Sequence, residues 1–330
     1  MRTFKFNLLS ALLLPLLIAC NKELNVNADW QDITVVYGLL DQNEDTTFIK
    51  ITKAFLGPGD AMQFAKIPDS SNYPDKLEVS LEEWDGNTLK NSYSCDTVTI
   101  HNKKAGDSIF YFPDQLMYYT LARLNENYQY KLYIRNKKTG KEITSVTPLV
   151  HYFSVEKPLP FIEMNFKPGF NNEVRWVTAQ GGRRYQLNIR FHYLETLKDS
   201  SKYEKYIDWI VFNDVKSVDN KGGQTISYYY PGEGFYNIVG LKIPVNPDVS
   251  KRTAHFVDFI FSVAADDLDT YMEVSEPSYT IVQERPSFSN IINGIGLFSS
   301  RVNNVLDSIR LYSYTLSQLK VNEKTKDLDF

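Results

Sequence analysis

Residues able to do chemistry are plentiful in this 330-residue chain but are seldom spaced to act together. A serine nucleophile on a strand-to-helix elbow needs Gly-x-Ser-x-Gly, because only that strained turn lifts the hydroxyl toward its base, and the pentad is absent. His101, His151, His192 and His255 lack the His-Glu-x-x-His spacing that sets two zinc ligands on one helical face, so each reads as structural or exposed. Gly57-x-Gly59 and Gly294-x-Gly296 lack the Lys-Ser/Thr pair of a phosphate loop and read as turns. Asp266, Asp267 and Asp269 offer hard oxygens to Ca²⁺, but the loop glycine and distal glutamate of an EF-hand are missing; acids opening a helix are the favoured reading. Glu82 and Glu83 adjoin in a predicted strand and therefore point to opposite faces, which prevents them from working as a carboxylate pair. The rings of Tyr118-Tyr119 and of Tyr228-Tyr229-Tyr230 suit sugar stacking, yet at strand positions they read first as sheet packing. No catalytic, cofactor-binding or metal-ligating set is expected, and no cofactor.

Cys20 is the exception. Residues 1–19 carry the basic Arg2 and Lys5, an apolar stretch over 8–18 broken only by Ser10 and Pro15, and a small Ala19, which together read as a secretory signal. The stretch is shorter than the roughly 20 apolar residues of a spanning helix, so cleavage is expected. Leu17-Ile18-Ala19-Cys20 resembles a bacterial lipobox, in which the thiol receives a diacylglyceryl group and the signal is cut before it. Each buried methylene contributes about 0.8 kcal/mol, so one acyl chain such as palmitate holds marginally and two or three hold stably. The expected partner is thus the membrane, through lipid on Cys20. Cys95 is then alone and reads as a small buried hydrophobe, since one thiol makes no intramolecular bridge. Residues 20–30 form a polar tether, and their Lys22-Glu23 partly resembles the Lys-acidic signals that send some Bacteroidota lipoproteins to the outer surface.

The elements that hold these residues read as strands. Aromatic residues make up 14% of the chain, chiefly 22 Tyr and 20 Phe, a composition that suits half-buried pleated surfaces better than helix faces. Charged residues at 23% and hydrophobic residues at 43% describe a folded body. Net charge is -4, about -6 once Arg2 and Lys5 are removed, and cations nowhere cluster beyond pairs such as Arg183-Arg184; nucleic acid is not expected as a partner. The expected fold is mainly β: two β-sandwich domains, immunoglobulin-like or fibronectin-like, with a few short helices. The first covers 31–157, with strands near 33–40, 47–55, 77–84, 97–100, 109–112, 128–135 and 143–147 and a short helix from Asp60 to Lys66. The segment Leu124–Leu132 looks like the turn into a late strand of such a domain, where a tyrosine after the turn packs against the corner. Pro148, Pro158 and Pro160 mark the boundary, and a C-terminal β-rich domain covers 158–330. Its clearest strand is 185–193, where Tyr185, Leu187, Ile189, Phe191 and Tyr193 share one face. Further strands are expected at 174–176, 206–212, 225–230, 256–263 and 309–314, and residues 320–330, being polar, are expected to fray.

Three places carry a family resemblance: the lipobox, the run Val35-Val36-Tyr37-Gly38-Leu39-Leu40, and the segment Arg285-Pro286-Ser287-Phe288-Ser289-Asn290-Ile291-Ile292-Asn293-Gly294-Ile295-Gly296-Leu297-Phe298. In these the chain resembles the Bacteroidota lipoproteins grouped under a domain of unknown function numbered 4249. Members typically show Pro, then Asn-Ile, then Gly-x-Gly before an aromatic residue; this chain keeps that order but has Tyr37 where many have Glu. The resemblance implies an outer-membrane lipoprotein associated with uptake machinery and brings no catalytic residues with it. The expected role is a non-catalytic binding or assembly subunit with an outer-membrane protein partner, and the alternative is a surface or periplasmic hydrolase using acidic residues. Ser289–Phe298 is expected either to be a buried closing strand or to present Leu297-Phe298 to a partner.

Overall fold

A computed structural model describes residues 31–56, 72–101, 114–276 and 287–330. The expected signal, Cys20 and its tether, the 60–66 helix and the 109–112 strand lie outside the described residues. Within them the protein is mainly β, in three sheets with three helices.

The first body uses β1 (Gln31–Leu40), β2 (Thr47–Leu56), β3 (Glu78–Asp85), β4 (Thr88–Ser94), β5 (Asp96–Ile100), β6 (Gln115–Thr120), β7 (Gln129–Arg135) and β8 (Glu142–Pro148). Strict alternation explains its packing: Val79, Leu81 and Glu83 of β3, and Tyr130, Leu132 and Ile134 of β7, turn inward while their neighbours face out. The sheet β4-β3-β7-β8 lies across β1-β2-β6-β5, and Val36, Ile49, Ile51, Leu81 and Leu132 fill the space between. Tyr130 forms the expected corner: its buried hydroxyl accepts the Asn125 N–H at 2.7 Å and donates to Glu83 at 3.0 Å. Glu82 and Glu83 do take opposite sides, and Glu83 is the buried one.

The second body comprises β9 (Val155–Lys157), β10 (Asn171–Val177), β11 (Gly182–Leu197), β12 (Lys202–Lys216), β13 (Thr225–Pro231), α1 (Glu233–Lys242), β14 (Val249–Ala265), α2 (Asp266–Ser275), β15 (Gly294–Arg310) and α3 (Ser313–Val321). On β11 the five residues from Tyr185 to Tyr193 with the predicted period are all buried. Their intervening neighbours form a polar layer: Arg190 pairs with Asp208 at 2.8 Å and lies over Tyr206, and His192 pairs with Asp258 at 2.8 Å. Tyr185 repeats the corner device, accepting the Ala179 N–H at 2.8 Å.

Strand β15 joins the bodies. Residues 294–300 pair in parallel with β1 and 301–310 pair antiparallel with β14, so one eight-stranded sheet runs β12-β11-β14-β15-β1-β2-β6-β5. Phe298 and Ile291 sit in the first core, whereas Val302 and Ile309 sit in the second. The closing strand therefore crosses the 157/158 division anticipated from prolines, because a Pro-rich connection marks where the chain passes over and not where pairing stops.

Two expectations are corrected. The run 309–314 is not one strand: β15 ends at Arg310 and α3 starts at Ser313. Residues 320–330 are held rather than frayed, since Thr325 and Leu328 are buried, Phe330 packs on Phe191 and Tyr193, and Arg252 donates to the carbonyls of Leu328 and Asp329.

Candidate functional site

The segment 289–298 forms the seam between the bodies. Asn290 donates to Asp267 at 2.7 Å and to the Phe298 carbonyl at 2.7 Å, and accepts the Phe298 N–H at 3.0 Å, tying α2 to β15. Ser145 of β8 donates to the Asn290 carbonyl at 2.8 Å. Gly296 holds φ +119°, and a Cβ there would lie 2.0 Å from the Val36 carbonyl oxygen, so the strand approaches β1 as only glycine permits. Leu297 and Phe298 are both buried; of the two readings for this segment, the closing strand is the one seen, and these side chains are not offered to a partner.

Beside the seam lies a cleft of about 900 Å³, open to solvent, between the outer face of β15-β1-β2-β6 and helix α2. Alternation places Tyr37, Leu39 and Asp41 on its floor; Tyr37 stands opposite Leu297 on one side and Lys50 on the other. Phe48 and Met117 extend the floor, Leu268, Tyr271 and Met272 of α2 form a wall, and the β1–β2 turn with Glu44 and Asp45 closes one end. Tyr271 and Tyr37 bridge floor and wall, with hydroxyls 3.3 Å apart and rings edge to face at 6.1 Å. That hydrogen bond, helped by burial, pushes the Tyr37 phenol up to about 12.

Asp41 is the buried charge of the cleft, only 3% exposed. Its Oδ1 accepts the Asn43 N–H at 3.0 Å, whereas Oδ2 takes no hydrogen bond and faces Arg301 Nε at 3.8 Å. Burial raises its pKa from the ordinary aspartate value, against the lowering by Asn43 and Arg301.

The residues weighed from sequence stand apart from this cleft. Each histidine has its own carboxylate neighbour: Asp114 for His101, Glu126 for His151, Asp258 for His192 and Glu204 for His255. The three acids do open α2, but in different directions: Asp266 toward Asn220, Asp267 toward Asn290, and Asp269 into a buried pair with Arg184. Among the described residues no cluster of three or more His, Cys, Asp or Glu is placed to hold a metal ion. Cys95 is buried and free, and burial pushes its thiol up to about 11. Tyr118 and Tyr230 are buried packing residues, while Tyr229 is exposed. Sequence reading missed Asp41, Phe48, Tyr271 and Arg301. The alternation Tyr37, Leu39, Asp41 was visible, but the approach of Arg301 depends on a parallel pairing between distant strands.

No protein-family model matches the chain, and no curated protein matches it. Among solved structures, the C-terminal globular domain of an oligosaccharyltransferase from Pyrococcus abyssi aligns over 70% of this chain and 47% of that one, at 9% identity and a TM-score of 0.25. The chain thus spans about half of that structure's length, and the score is too low to mark a shared fold. No described helix is long and apolar enough to cross a membrane.

Proposed function

We propose that this protein is a non-catalytic binding or assembly subunit, tethered to the outer membrane through lipid on Cys20 and serving a nutrient-uptake or surface complex. Membership in the Bacteroidota lipoproteins of domain of unknown function 4249 belongs to the same proposal. The observation that carries it is the cleft: aromatic and aliphatic side chains left open to solvent, with one buried carboxylate facing an arginine, make a surface suited to binding. A lipid tether and a concave surface together describe a protein that captures or docks. The second reading, a surface or periplasmic hydrolase, is favoured by the raised pKa of Asp41 alone.

Two measurements test these readings. Cys20→Ser should release the protein from the membrane fraction; a variant that stays bound and is cleaved at the same place removes the lipoprotein reading. Detergent-solubilised outer membranes should yield a specific co-purifying partner for the wild type. Glycosidase, esterase or peptidase turnover that Asp41→Asn abolishes, with no partner recovered, replaces the binding reading with the enzyme.

A further inference from the structure

We propose that the seam cleft binds a neutral oligosaccharide, with Tyr37 and Phe48 as its stacking platform and Asp41 with Arg301 as the polar end that reads adjacent hydroxyls. This rests on the binding reading above and names its ligand class.

A sugar ring presents apolar C–H faces and an edge of hydroxyls, so its receptor needs open aromatic rings and, beside them, an acceptor next to a donor. Tyr37 and Phe48 remain 40% and 42% exposed on neighbouring strands. Tyr37 lies opposite Lys50, two residues from Phe48, which makes Tyr37 and Phe48 diagonal neighbours on one face of the sheet, with backbone positions about 7–8 Å apart. The polar end supplies the rest. Asp41 Oδ2 is desolvated and accepts no hydrogen bond, so a ligand hydroxyl would satisfy an acceptor that the protein leaves open. Arg301 is half exposed and stands 3.8 Å from that oxygen, close enough for one diol to donate to the carboxylate and accept from the guanidinium.

Charge selects a neutral ligand. Glu44 and Asp45 line the same cleft as Lys50 and Arg301, so no single sign dominates, as a phosphate or a polycation would require. A volume of about 900 Å³ suits a short chain of sugars better than a single one.

The test uses the intact chain in detergent, with affinity electrophoresis and calorimetry against amylopectin, laminarin, hydroxyethylcellulose, galactomannan and xylan. A mixed tripeptide pool represents the competing class. At least one glycan should bind, and Tyr37→Ala, Phe48→Ala and Arg301→Gln should each weaken it tenfold or more. Phe161→Ala, which alters an exposed ring outside the cleft, should leave binding unchanged, and circular dichroism should report every variant as folded. Failure of all five glycans, binding unchanged in the Tyr37 and Phe48 variants, or peptide binding at the cleft overturns the proposal. A co-purifying outer-membrane partner that survives such a result leaves the binding-subunit reading standing; loss of both removes it.

Discussion

The two bodies bury their cores with different side chains. In the first, aliphatic residues such as Val36, Leu81, Leu132 and Ile134 meet across the sandwich, and the buried carboxylate among them, Glu83, accepts hydrogen bonds from Tyr93 and Tyr130. In the second, rings meet rings: Trp176 stacks on Phe212 at 5.5 Å and 16°, and Phe166 on Phe235 at 4.4 Å and 12°. Its buried charges are paired, with Arg252 held 2.9 Å from Glu195 and Arg184 against Asp269. Most of the large, fully buried rings thus lie in the second body. The first body takes Ile291 and Phe298 from the closing segment, so an aliphatic core and an aromatic core are coupled through one strand.

The strongest way to break that coupling is Gly296→Ala. The new Cβ would meet the Val36 carbonyl oxygen at 2.0 Å, and φ +119° is forbidden ground for alanine, so strain and overpacking add. A loss of at least about 4 kcal/mol is expected. Urea unfolding followed by both far-ultraviolet and near-ultraviolet circular dichroism should show both signals shifting together. If the near-ultraviolet signal of the aromatic body stays at its wild-type midpoint, the bodies are independent and β15 does not couple them.

Next in size is truncation inside a core. Ile189→Ala removes a buried side chain from the central β11 and should cost about 2–5 kcal/mol, as should Leu132→Ala in the aliphatic body. Equilibrium denaturation of the pair asks whether the two cores collapse around a cavity to the same extent.

Legibility in the sequence followed the range of the interactions. Strand β11 was readable because its period of two lies within one stretch of chain, and the acids opening α2 were readable for the same reason. Helix α1, Glu233–Lys242, escaped notice: Gly234 and Gly240 weaken its helical pattern, and the burial of Phe235, Tyr236 and Val239 holds it in place. The tail looked polar, but Leu328 and Phe330 find a distant pocket and Arg252. At the site, Gly294-x-Gly296 reads from sequence as a turn, but both glycines lie in strand β15, and what they accommodate is the backbone of β1. The Asp41–Arg301 approach exists only after β1 and β15 have paired.

The two tyrosine corners sharpen the comparison at lower cost. Tyr130→Phe leaves the Asn125 N–H and a Glu83 oxygen without their partner, a loss of about 1–3 kcal/mol. Tyr185→Phe removes one bond, from the Ala179 N–H, and should cost about 0.5–1.5 kcal/mol. Thermal or chemical denaturation of both variants checks the order; a larger loss at Tyr185 would mean that the aromatic body, not the Glu83 hub, depends more on its corner.

The smallest expected effect up to about pH 9.5 belongs to Cys95 and emerges only at alkaline pH. Burial pushes its thiol from 9.0 to about 11, because the folded core disfavours the thiolate. Above pH 9 the unfolded chain therefore releases a proton that the folded chain keeps, and the unfolded state gains stability. The contribution of this raised pKa is fully present below pH 9 and is lost as pH rises through about 11. Comparing the wild type with Cys95→Ala cancels the contribution of the buried tyrosines, which titrate in both. The stability difference between the two should stay constant from pH 7 to about 8.5 and then shrink as the wild type loses ground. The same protection should keep iodoacetamide from the native thiol at neutral pH and admit it in denaturant, since alkylation needs both access and thiolate. Rapid modification of native protein, with no pH trend in the stability difference, would show that the aliphatic core opens around Cys95.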